Sequence, residues 1–453
     1  MGETRLELPR AYHEAVVHWQ THNFPDYPKL ERVWDRYFPR DEPFCLCAKV
    51  AGGMSPLIEV GDLVGRPKAQ RPAELAPEAA HILLGQIRAQ ASTEFGSIQQ
   101  HTGTLERASD PQDQAWVLRV MAEELRHGYQ MIHLLVSTDW SPATDAKPAD
   151  MVEEILGMRT GSHVLAAFNL EFDSFTDNVV FAALVDRVGK YQLSMQKVSA
   201  YAPYATSMPP MLKEEAFHLA AGVVPLRRWV EAAARGDALL SMDAIQKSCT
   251  KWFCRALEMF GDDRPDSHGG EDSVRLGLKD MTNRQAQDAY IAEVQQMLGD
   301  LNERYVRARR PDLSREDAAA LCARLTAERG SEGGIAWTDL LRLPDRRFFR
   351  RRGDGAFDLV GFDGERFDDA EACIRHVAAH LPEAYRASVD VKHWADMLRK
   401  VHAQQVPLKD AIKSQPRLAR VGGPCPCSRS VRWVVEEPVR GASPPQTPQE
   451  DAS

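Results

Sequence analysis

Helical patterning dominates the distribution of apolar and polar positions. Leu8 to Asn23 carries it first; a stretch rich in Pro, Gly and aromatic residues follows, and residues 1–75 read as a loop-rich cap. Residues 78–138 predict two long helices that reverse at Ser109-Asp110-Pro111. Ser137 to Asp150, with two prolines, reads as an exposed crossover. Helix resumes at Met151, and Phe172 to Ser199 predicts a third long helix. A fourth runs from about Tyr204 to Ala234, and Pro209-Pro210 predicts a kink or bulge within it rather than an end. Met242 to Phe260, Val274 to Val306 and Ala318 to Arg329 continue the helical pattern. The pattern then changes: Ala356 to Val360 followed by Gly361-Phe362-Asp363-Gly364 predicts a small β-hairpin. Asp368 to Leu381 and Val389 to Gln404 return to helix, and the Pro- and Ser-rich stretch after Gly422 predicts disorder.

The expected fold is therefore mainly α, a four-helix bundle with extra helices and a small C-terminal helix-plus-β-hairpin region. The expected division is a cap over 1–75, the bundle over 76–310, a C-terminal helical region over 311–421 and a disordered tail over 422–453. At 453 residues, with 43% apolar and 27% charged positions, the chain has ordinary globular composition. A net charge of −9 argues against general nucleic-acid binding. There is no run of 18 apolar residues, so no membrane span is expected. Met1 to Arg5 lacks the apolar stretch of a secretory signal, and the eight cysteines are scattered, so a reduced cytoplasmic protein is expected. Cys45/Cys47 and Cys425/Cys427 are the close pairs, and neither has zinc-finger spacing with a second pair in reach.

The chemistry lies in two runs, Glu123-Glu124-Leu125-Arg126-His127 and Glu214-Glu215-Ala216-Phe217-His218, 91 positions apart. Glu and His three residues apart share a helix face and can hold one metal ion. A third E-x-x-H, Glu78 to His81, lacks the doubled Glu, and about one such match is expected by chance. What distinguishes the two doubled runs lies upstream: Glu94 stands 30 residues before Glu124, and Asp186 stands 29 before Glu215. From Glu94 to the turn is about 24 Å of helix, and from the turn back to Glu124 about 21 Å, so the two carboxylates return to one height. Glu94, Glu124, His127, Asp186, Glu215 and His218 thus form a candidate six-ligand set for two metals of the di-iron or di-manganese kind. Oxygen-rich donors with two imidazoles and no thiolate disfavour zinc and iron–sulfur clusters. Glu123 and Glu214 point about 100° away from the inner glutamates and read as solvent-facing charges.

Other features are less specific. Arg346, Arg347 and Arg350, within a wider arginine cluster, could hold an anionic substrate tail such as the phosphates of coenzyme A, or form a solvated basic loop. Phe95, Phe172, Phe175, Tyr191 and Phe217 could line an apolar pocket, though such rings are more often bundle core. Arg126 could orient an acid that holds a metal-bound imidazole. No dinucleotide or phosphate-loop fingerprint is present, so electrons for redox chemistry would come from a separate protein.

Four segments carry a resemblance: Met121 to His127, Ala183 to Gly189, Tyr201 to Tyr204 leading into Met211 to His218, and Leu343 to Phe348. In these the chain resembles the phenylacetate-catabolism family of ferritin-like oxygenases, with the benzoyl-coenzyme A epoxidases as its nearer branch, over roughly residues 80 to 400. The resemblance implies a non-haem di-iron enzyme, with two iron ions (or manganese) held by the six ligands. It also implies an aromatic acyl-coenzyme A substrate, dioxygen, and a separate reductase with flavin and iron–sulfur centres. A monomer or homodimer is expected. Two alternatives stay open: a di-iron oxygenase for another acid, amine or carrier-bound substrate, and a non-catalytic ferritin-like iron-binding subunit.

Overall fold

The structure is a computed structural model that describes residues 2–236, 240–261, 270–344, 359, 367–379, 386 and 389–402. The chain opens with strand β1 (Glu3–Leu6), helices α1 (Arg10–Asn23) and α2 (Tyr27–Tyr37) and strand β2 (Ala48–Ala51). β1 and β2 pair antiparallel, with Arg5 opposite Lys49. Neither α2 nor this sheet was legible in the aromatic-rich stretch. Their buried residues, among them Trp19, Phe24 and Trp34, belong to the same apolar cluster as the bundle.

The bundle follows: α3 (Pro77–Thr102), α4 (Pro111–Val136), α5 (Pro148–Gly157), α6 (Phe175–Leu184), α7 (Asp186–Gln196) and α8 (Ala202–Arg235). α3 packs on α4, and α6 and α7 both pack on α8, which also reaches α4. This is the expected ferritin-like arrangement of four long helical rods. The turn at Ser109 to Pro111 works as read: the Asp110 carboxylate accepts from Gln112 N at 2.8 Å, and Pro111 occupies the first helical turn.

The third rod differs from the single helix expected over Phe172 to Ser199. α6 and α7 part at Val185, which keeps helical angles (φ −82°, ψ −47°). Its carbonyl accepts from Val188 N at 2.8 Å, an i to i+3 bond that tightens the turn where Asp186 enters. α8 crosses Pro209, Pro210 and Pro225 without ending. Opposite the Val185 break, Gly222 lets α8 approach α6 at backbone distance, since a Cβ there would lie 2.2 Å from Ala183 N.

Around the bundle lie α9 (Met242–Met259), α10 (Glu271–Arg275), α11 (Asn283–Arg309) and α12 (Arg315–Glu328), then a short hairpin of β3 (Ser331–Glu332) and β4 (Ile335–Ala336). α9 packs on α6 and α11 on α8. A capping box at Thr282 and Gln285 starts α11, later than the expected Val274. Near the end, α13 (Ala370–Ala379) and α14 (Val391–His402) pack on each other around Ile374 and Trp394. Most of the hairpin expected at Ala356 to Gly364, and all of the tail over 422–453, lie outside the described residues. Among the described residues no helix is long and apolar enough to cross a membrane.

Candidate metal centre

The six ligand candidates arrive from four rods: Glu94 from α3, Glu124 and His127 from α4, Asp186 as the first residue of α7, and Glu215 and His218 from α8. All six are buried. The donor atoms of Glu94, Glu124 and His127 gather within 4.8 Å of one another, as do those of Glu124, Asp186 and His218. Glu124 belongs to both groups.

The contacts have approximate two-fold symmetry. Glu124 turns one oxygen toward His127 Nδ1 (3.7 Å) and the other toward His218 Nδ1 (3.4 Å). Glu215 does the same, at 3.8 and 3.4 Å. Glu94 completes the His127 side, 3.8 Å from its Nδ1. Asp186 completes the His218 side. Donors at metal–ligand distances of about 2.1 Å and tetrahedral or octahedral angles stand about 3.0–3.4 Å apart, close to these spacings.

The residues fit a pair of cations. His127 Nδ1, His218 Nδ1, Asp186 Oδ2 and Glu215 Oε2 are all buried without a hydrogen-bond partner, and all face this cluster. Electrostatics agree. Burial pushes Glu94 well above the usual carboxylate range, and the neighbouring Glu124 adds to it. Burial and Glu124 do the same to Asp186. Burial works upward on Glu124 too, but its neighbours Glu94, His127 and His218 carry it well below the range. Burial works against charge on His127 and His218, yet their carboxylate neighbours lift both well above ordinary histidine. Four buried carboxylates call for positive charge, and without metal the cluster supplies it with protons.

The outer glutamates are not solvent-facing, which corrects the sequence expectation. Glu214 Oε2 accepts from His127 Nε2 at 3.0 Å and from Arg126 Nε at 2.6 Å, while its Oε1 accepts from Lys49 Nζ at 2.7 Å. Burial works upward on Glu214, and Arg126, His127 and Lys49 hold it well below the usual range. Glu123, 5% exposed, lies 3.2 Å from His218 Nε2 and accepts from Arg119 Nε at 3.0 Å. Arg119 in turn covers the Phe217 ring at 3.9 Å. Each motif's outer Glu therefore stands against the other motif's His, Glu214 through a hydrogen bond and Glu123 at ion-pair distance. The Glu214 hydrogen bond fixes the His127 tautomer and leaves its Nδ1 facing the cluster. Arg126 meets the expectation placed on it, with Glu214 as its acid. Lys49 and Arg119 were missed. The doubling of the glutamate was the sequence signal that both outer positions mattered.

The cluster opens on a cavity of about 380 Å³ that touches Glu94, Glu124, Asp186 and Glu215. Its apolar wall includes Met158, Leu165, Phe168, Leu193 and Phe260. None of the five aromatic residues singled out from sequence lines it. Phe95 packs on Trp19, Phe172 on Trp252, Phe175 on Trp229, Tyr191 beside Phe260, and Phe217 under Arg119. Glu78, set aside in the sequence, pairs with Arg275 at the surface. Arg346, Arg347 and Arg350, like Cys425 and Cys427, lie outside the described residues.

Part of the chain is similar to known proteins. Residues 145–306 match the model of the phenylacetic acid catabolic protein family. That span holds Asp186, Glu214, Glu215 and His218, but stops short of the α3–α4 half of the site. The chain is also 30% identical over 189 residues to the benzoyl-CoA oxygenase component B of Aromatoleum evansii, a match covering 39% of this chain and 40% of that protein. The alignment thus spans about two fifths of the relative's length.

Proposed function

We propose that this chain is a di-iron oxygenase that places one oxygen atom from dioxygen onto the aromatic ring of an acyl-coenzyme A thioester of the benzoyl type, by epoxidation or hydroxylation. The observation that carries this reading is the buried set of four carboxylates and two imidazoles, with unpartnered donor atoms facing one another, at the wall of a cavity large enough for a small ring. The family match and the named relative support the substrate class. Two irons held by these ligands would supply dioxygen activation.

The chain's own residues do the rest. Glu124 and Glu215 present one oxygen to each half of the site, Glu214 holds the His127 imidazole, and Glu123 lies beside that of His218. The apolar wall keeps water from the bound ring. Dioxygen, two electrons and two protons give one oxygen atom to the substrate and release the other as water. The proposed electron source is a separate flavin and iron–sulfur reductase.

The test is direct. Protein reconstituted anaerobically with ferrous iron is assayed for bound metal, then given benzoyl-coenzyme A, a reductant and oxygen. We expect about two irons per chain, a thioester product heavier by one oxygen, and loss of both in Glu215→Ala. Iron at less than one per chain in the wild type, unchanged in that variant, would overturn the reading.

A further inference from the structure

Lys279 lies in the segment between α10 and α11, is 3% exposed and lines the cavity. Its Nζ donates to Gln192 Oε1 at 3.0 Å and to Asn283 Oδ1 at 3.3 Å, both neutral acceptors that also line the cavity. Among the described residues no carboxylate pairs with it. An ammonium carries three protons, so one remains for the cavity. A buried cation without an anion is costly unless something supplies oxygen to it. One turn beyond Gln192, the buried Gln196 Oε1 also lacks a partner and lines the same cavity. The cavity thus has a second polar region, built from neutral acceptors around one cation.

Its position relative to the metal ligands follows from α7. Asp186, Gly189, Gln192 and Gln196 form a stripe along this helix, and all four line the cavity. Gln192 stands six residues from Asp186, about 9 Å along the axis. An aroyl group, a six-membered ring plus its carbonyl, spans about 6 Å at bond lengths of about 1.2–1.5 Å. Gly189, between the two, puts no side chain in the way.

We infer that Lys279 binds the acyl oxygen of the aromatic substrate, holding the carbonyl at the Gln192–Asn283 end and the ring toward the four carboxylates. The inference rests on the proposed function for its ring, but the recognised group is an acyl oxygen, whether of a thioester or of a free acid. The other charged groups lining the cavity are the Arg88–Glu154 pair and the four carboxylates themselves; Asp280, next in the chain, lies near Lys197. Burial draws the Lys279 ammonium down to about 8, so it titrates in an accessible range.

Calorimetric binding separates the cases. Benzoyl-coenzyme A, its thioether analogue lacking the carbonyl oxygen, and benzoate are each titrated into wild type, Lys279→Met and Lys279→Arg. We expect Lys279→Met to weaken benzoyl-coenzyme A about tenfold or more, Lys279→Arg to recover part of that, and the thioether to bind wild type and Lys279→Met alike. Wild-type affinity for the thioester should fall as pH rises through about 8, with no such step in Lys279→Met. Equal losses for thioester and thioether, or the same pH profile in wild type and Lys279→Met, would overturn the inference while leaving the oxygenase reading intact. Wild-type binding of benzoate but not the thioester, lost in Lys279→Met, would sustain the Lys279 role and overturn the coenzyme A reading. Binding of neither would overturn both.

Discussion

Glu214 does two jobs that a pair of substitutions can separate. It neutralises Arg126, whose side chain is fully buried, and it accepts from His127 Nε2. In Glu214→Leu, Arg126 has no anion left among the described residues. Breaking a buried pair from one side costs about 3–5 kcal/mol, a large share of a typical stability of about 5–15 kcal/mol. Lys49, with a side chain 20% exposed, reaches water and adds little. Replacing both partners, as Arg126→Met with Glu214→Leu, removes the stranded charge and should restore most of the stability. His127 has lost its acceptor in both variants. Metal affinity should therefore stay down about 10–100-fold in both, or about 1.4–2.7 kcal/mol. Urea unfolding followed by circular dichroism reads the first quantity, and cobalt(II) titration followed by visible absorption reads the second. If metal affinity recovers together with stability in the double variant, Glu214 does not orient His127.

Gly222→Ala would place a Cβ 2.2 Å from Ala183 N, against backbone rather than a flexible side chain. It should destabilise by about 1–3 kcal/mol or more in chemical unfolding. Gly189→Ala puts its Cβ 3.0 Å from Glu215 Oε1; we expect a lower metal affinity in titration with a melting temperature close to wild type. Stripping metal should make stability depend on pH in a definite direction. Glu94, Asp186, His127 and His218 are raised in the folded metal-free protein, so their stabilisation is complete below their ordinary values of 4.5, 3.8 and 6.5 and is lost as pH rises through the folded values. Glu124, lowered, contributes in the opposite sense at the acid end. The gap between loaded and chelated melting temperatures should therefore widen from pH 5 to 8 in differential scanning calorimetry; a constant or narrowing gap would contradict the charge assignment.

The clustering of the candidate ligands was legible because it depends on local periodicity: Glu124 with His127 and Glu215 with His218 share a helix face, and one reversal returns Glu94 to the height of Glu124. The braces depend on the distance between rods, which a sequence does not carry. Glu123 and Glu214 point away from their own motif, so on an isolated helix they look solvated, and only the neighbouring rod turns them inward. The parting of α6 and α7 was hidden for another reason: Val185 keeps helical angles and neither Pro nor Gly marks it. α2 was masked by its Pro and aromatic content, which a tertiary core of Trp19, Leu30 and Trp34 overrides. Lys279 belongs to no motif, and only burial reveals it.

The hold of Glu214 on His127 has a consequence for how the protein matures. A ribosome releases α3 and α4 long before α8, so Glu94, Glu124 and His127 emerge with the His127 imidazole unheld. Glu214, which fixes that ring, comes 87 residues later. On the proposed metal reading, neither half would hold metal firmly by itself, and capture would wait until both hairpins have docked. Loading would then be a checkpoint on completed assembly, and a chain stalled before residue 218 should bind no metal in an equilibrium-dialysis test.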